Sequence, residues 1–131
     1  MGETFGFFIA RKKEELDYTL RGFARKLGIS AVYLSNLEKD RRNDPSDEII
    51  KRLDEVLLLT KEEHAYMLDL LAKAKKRPSV ASDLPEYINE RDIVRVALRT
   101  AKDVDVTDEE WQDFIERLEK RIKKADADKF E

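Results

Sequence analysis

A chain of 131 residues holds one full domain, or a small domain with an appendage, and 41% hydrophobic residues are enough for a packed core. With 42% charged residues, only 4 glycines and 3 prolines, the composition points to an all-helical protein, and the lack of cysteine excludes disulfides and thiolate zinc sites. The net charge of −3 is unevenly spread: 16 basic face 14 acidic residues over 1–80, 10 face 15 over 81–131, and 9 face 5 within 11–42. Local charge decides where a polyanion can dock, so the total does not exclude nucleic acid.

The first helix is expected over about Thr4–Glu15, with Phe5, Phe8 and Ile9 on one side. Thr19 reads as the N-cap of a second helix, because its hydroxyl can accept from a free backbone N–H of the first turn. Tyr18 and Phe23 are spaced as a hydrophobic staple. Leu20, Phe23, Ala24 and Leu27 follow the i, i+3, i+4, i+7 rule of a buried stripe. Gly28 ends this helix by tolerating positive φ. Ser30 caps a third, short helix with Leu34 and Leu37 inward. A fourth is expected to open at Asp44-Pro45, an acidic cap followed by proline at the first helical position, and to carry Ile49, Leu53, Val56 and Leu57. "TKEE" at Thr60 is a capping box opening a fifth, with Met67, Leu70, Leu71 and Ala74 buried.

The stretch 75–85 gathers proline, serine and small residues and reads as a linker. Domain boundaries are therefore expected at 1–76, a linker at 77–85 and a helical segment at 86–131. Ile93, Val94, Val96, Ala97 and Leu98 mark one helix of that segment. Thr107–Lys124 is the strongest signal in the chain: Thr107 and Glu110 form a capping box, Val106 and Trp111 are spaced as a staple, and Trp111, Phe114, Ile115, Leu118 and Ile122 form one apolar stripe.

A capped helix, a glycine turn and a second short capped helix make a helix-turn-helix. Ala24 allows the two helices to cross closely. Ala31, Val32, Ser35 and Asn36 are left on the outward side of the second, whose N-terminus at Ser30 is positively polarised. Such a helix fits the major groove of B-DNA.

The stretch "TLRGFARKLGISAVYLSNLEKDRRNDPSDE" resembles the DNA-binding domain of Cro/repressor-like regulators, the XRE family. The resemblance rests on Ala24, Gly28, Ile29-Ser30, Tyr33-Leu34-Ser35, Leu37-Glu38 and the following "RRN-PS", and it covers roughly residues 4–73. It implies a five-helix DNA-binding domain. By position it implies base contacts from Ala31, Val32 and Asn36, with Ser35 at a base or phosphate. Tyr33, Arg41, Arg42, Thr19 and Arg21 would hold the backbone. Asparagine can bond an adenine edge through both amide atoms, and alanine or valine methyls pack on the thymine methyl, so an A·T-leaning half-site is expected. Two positions depart from the family pattern. Leu20 stands where many relatives carry a glutamine, and Asp40 stands where a glycine usually follows the recognition helix, adding negative charge near the DNA.

Nothing in the sequence makes a case for an enzyme or a cofactor. His64 alone cannot build a zinc site or a triad, Asp108-Glu109-Glu110 reads as helix N-terminal charge, and there is no phosphate-binding glycine loop. The longest apolar runs are far too short to span a bilayer. The apolar N-terminus precedes its basic residues, which is the wrong order for a signal peptide, so a cytoplasmic location is expected. Residues 86–131 are too few for a core of their own, so the stripe at 111–122 must fold back or pair with a second copy, and pairing into a homodimer is expected. The expected function is a homodimeric, sequence-specific repressor, most simply of its own gene. The alternative is an antitoxin whose acidic C-terminal part binds a basic toxin.

Overall fold

The structure, a computed structural model, describes residues 2–75 and 79–129, and every regular element among them is a helix. Five helices come first: α1 (Phe5–Glu15), α2 (Leu20–Leu27), α3 (Ala31–Glu38), α4 (Asp47–Val56) and α5 (Lys61–Ala74). Then follow α6 (Pro85–Glu90), α7 (Asp92–Asp103) and α8 (Asp108–Asp128). The chain divides into two compact units, Met1–Tyr87 and Ile88–Glu131.

Hydroxyl caps set the starts of the first five helices. Thr4, Thr19, Ser30, Ser46 and Thr60 each accept from the backbone N–H three residues on, at Phe7, Gly22, Tyr33, Ile49 and Glu63. Each such cap contributes about 1 kcal/mol by satisfying a donor the helix cannot. The capping box at Thr60 and Glu63 forms in both directions, and Tyr18 stacks on Phe23 with ring centroids 5.8 Å apart. The start of α4 differs from the expectation at Asp44-Pro45. Ser46 is the cap and Pro45 precedes it, because the Asp44 carboxylate is held by Arg42 instead.

The core of the first unit unites Phe5, Phe8 and Ile9 of α1 with Phe23, Ala24 and Leu27 of α2. Leu34 and Leu37 of α3, Leu53 and Leu57 at α4, and Met67, Leu70 and Leu71 of α5 belong to it as well. α1 packs on α3 and α5, and α2 packs on α3 and α4. Ile49 and Val56 are only half-buried. Ala74 is exposed, since it closes α5 where the Asn43 amide donates to its carbonyl; Leu68 and Ala72 take inward positions. Of the expected linker, residues 77 and 78 lie outside the described residues, while Ala81 is buried in this core.

The second unit is built differently. Its capping box at Thr107 and Glu110 forms as the sequence signals, and α8 runs four residues past the expected end at Lys124. No residue of α6, α7 or α8 is buried.

Candidate nucleic-acid interface

The turn between α2 and α3 is fixed by backbone geometry. Gly28 has φ +72°, the left-handed region that a side chain disfavours, and the N–H of Ile29 reaches back to the carbonyl of Ala24 at 3.0 Å. Arg52 of α4 donates from Nη1 to the Leu27 carbonyl at 2.9 Å, so its guanidinium lies where a side chain at position 28 would have to go. Glycine is thus required twice, for its φ and for the room it leaves to Arg52.

α3 is anchored from below and from its end. Leu34 and Leu37 are fully buried against α1 and α2. Lys13 of α1 pairs with Glu38 at 2.7 Å, with both side chains largely shielded. Asp40 follows α3 in the left-handed conformation at φ +59°. Its carboxylate accepts from the Gly6 N–H at 2.9 Å and from the Thr4 hydroxyl at 2.6 Å, so it closes the free N-terminus of α1. The negative charge expected near DNA is therefore engaged by the positive end of another helix. Gly6 makes this approach possible, since a Cβ there would sit 2.5 Å from the carbonyl oxygens of both Leu37 and Glu38.

With one side held in this way, α3 presents the other. Val32 is 73% exposed, while Ser35 and Asn36 are half-exposed one turn further along the same side. Ala31 and Tyr33 lie partly against the core. Among the described residues the Asn36 side-chain amide has no hydrogen-bond partner, while the backbone carbonyl of Asn36 accepts from the backbone N–H groups of Arg41 and Arg42 at 2.9 and 3.2 Å. That closure brings both arginines back beside α3. Arg41 is exposed and makes no ion pair among the described residues. Arg42 lies over the Tyr33 ring, 5.4 Å from its centroid, and forks onto both oxygens of Asp44 at 3.1 Å. The fork holds the Asp44 carboxyl below its ordinary range and strengthens the protonation of Arg42. Both side chains are open to solvent.

Thr19 and Ser30 use their oxygens to cap α2 and α3, but a hydroxyl that accepts still has its O–H to donate. Both are exposed, as is Arg21 on the first turn of α2. Trp111, Phe114, Ile115, Leu118 and Ile122 form the apolar side of α8 in the second unit, and all five are exposed. The supports at Gly6, Asp40 and Arg52 had no sequence signal, because their partners lie 25 to 36 residues away.

Residues 9–63 match the family model described as Helix-turn-helix. Among solved structures, a chain of a SinR protein/SinI protein complex is similar at 19% identity and a TM-score of 0.47, over 92% of this chain and 99% of that one. No curated protein matches the chain.

Proposed function

From the match of residues 9–63 to the helix-turn-helix family model, we propose a homodimeric repressor that reads DNA through α3 and occludes a promoter, most simply that of its own gene. DNA-binding regulation is the function of the family domain; the dimer, the residue roles and repression are our reading. The observation that carries it is the exposed side of α3, where Val32, Ser35 and an unengaged Asn36 stand beside Arg41 and Arg42.

The N-terminus of α3 would enter the major groove, with Val32 and Ala31 on thymine methyls and Asn36 on an adenine edge. Ser35 would meet a base or phosphate. The O–H groups of Thr19 and Ser30, with Tyr33, Arg21, Arg41 and Arg42, would fix the backbone without reading sequence. Arg42 would exchange the Asp44 carboxylate for a phosphate, which presents the same paired oxygens to the guanidinium fork. Two copies would read half-sites about one helical turn apart.

The test is fluorescence anisotropy on DNA from upstream of the gene, titrated over salt, with Asn36→Ala alongside. Wild type should prefer that DNA over random sequence, and its affinity should fall as salt rises. Asn36→Ala should lose roughly 1–3 kcal/mol of that preference. Equal binding to operator and random DNA by both proteins defeats the reading.

A second reading is favoured by the five excess negative charges of residues 81–131. An antitoxin would turn that acidic part toward a basic toxin while α3 represses the operon. A small basic open reading frame beside the gene supports it, and an isolated gene argues against it.

A further inference from the structure

The second unit has helices without a core. Residues 88–131 form it, and neither α7 nor α8 has a buried residue. A stripe running Trp111, Ile115, Leu118, Ile122 and Ala125 recurs at alternating steps of four and three, the spacing of a two-helix seam, and Ile122 is 62% exposed. Such a side needs a covering partner.

The charges of α8 indicate which partner. Residues 108–116 carry five carboxylates and no base, whereas residues 117–124 carry five bases and one carboxylate. Compensation of the helix dipole accounts for Asp108, Glu109 and Glu110 in the first turn. It does not account for Asp113 and Glu116, which lie deeper. Nor does it explain the basic block, which sits mid-helix while the last turn holds no base. A segregation of this kind is self-complementary only when the helix meets itself reversed.

We infer that the α8 helices of two copies pair antiparallel, about a two-fold axis near Glu116 and Arg117, so that the acidic half of each lies along the basic half of the other. This rests on the dimer reading above and specifies its geometry. The pairing sets Trp111 level with Ile122 of the second copy, and Ile115 level with Leu118. Leu118, Arg121, Ile122 and Ala125 line a shallow groove on α8. Their spacing of i, i+3, i+4 and i+7 is that of a hole receiving one large side chain. Antiparallel pairing puts the indole of Trp111 into it. Parallel pairing would put a second Ile122 there and would set like charges against like along the helix.

The chain has no cysteine, so single labels can be placed without a background. Gln112→Cys and Asp126→Cys, each in the full-length chain, would carry a nitroxide whose spacing between copies is read by pulsed dipolar spectroscopy. At 1.5 Å rise per residue, antiparallel pairing separates the labels along the axis by about 15 Å at position 112 and about 30 Å at position 126. That inequality is the expected result. Equal, short spacings at both positions overturn the antiparallel arrangement and leave the dimer standing. No dipolar coupling, together with the mass of one chain by light scattering, overturns the dimer and this arrangement alike, and gives the α8 side to a different protein.

Discussion

The two units write their helices in the same local grammar and differ in what happens to their apolar sides. α5 and α8 both open with a threonine capping box and carry carboxylates in the first turn. In the first unit the resulting stripe is buried, with Met67 of α5 sealed and Phe8, Phe23, Leu34 and Leu53 closing around it. In the second, Trp111, Phe114 and Ile115 stay exposed. Caps and periodicity determine where a helix starts and which side is apolar. They do not supply the surface that covers it, and most helical stability in proteins comes from that surface.

The sharpest way to break the comparison is one deletion made in both units. Phe23→Ala empties a fully buried site and should lower the stability of the first unit by about 4 kcal/mol, read as a shifted urea midpoint. Phe114→Ala removes a ring that is 49% exposed and should leave the same transition unmoved. Equal losses would mean that the two units share one cooperative core.

Gly6→Ala tests the close approach of α1 to the end of α3. The new methyl group would meet the Leu37 and Glu38 carbonyl oxygens, both backbone atoms that cannot swing aside. A loss of about 2–3 kcal/mol by thermal melting is expected, toward the upper end of overpacking costs. Asp40→Ala removes a cap supplied from 34 residues away and should cost about 1 kcal/mol. An unchanged melt would show that water replaces the carboxylate without penalty.

The smallest effect is on pH. Glu3 and Glu63 are held below the usual carboxylate range, first of all by their hydrogen bonds to Arg11 and Lys12. Because these folded-state values are depressed, their contribution is present above the unfolded glutamate pKa of about 4.3 and is lost as pH falls through the lowered folded values. An acid titration should therefore show the first unit weakening below about pH 4. Glu63→Gln should flatten that decline slightly. A decline of unchanged steepness in the variant would remove the Lys12 pair from the account.

Much of this protein was legible in its sequence wherever a signal acts over one or two helical turns. The caps at Thr19, Ser30, Thr60 and Thr107, the glycine turn at position 28 and the inward stripe of α2 are all local rules, and the structure follows them. The outward side of α3 followed as well, because placing Leu34 and Leu37 inside leaves Val32, Ser35 and Asn36 outside. The start of α4 was misread because Asp44 before Pro45 satisfies the local capping rule, whereas in the fold Arg42 holds Asp44 and Ser46 is the cap.

Tertiary structure alone decided the supports of α3. The engagement of Asp40 by Thr4 and Gly6, the reach of Arg52 to the Leu27 carbonyl, and the burial of Ala81 are contacts between residues far apart in the chain. No periodicity records them, because each depends on where a helix ends in space relative to another. The sequence by itself determined the helices and the side of each that is apolar, since those follow from backbone geometry and nearest-turn chemistry. What buries that side, and which polar group finds which helix end, is settled only once the helices pack.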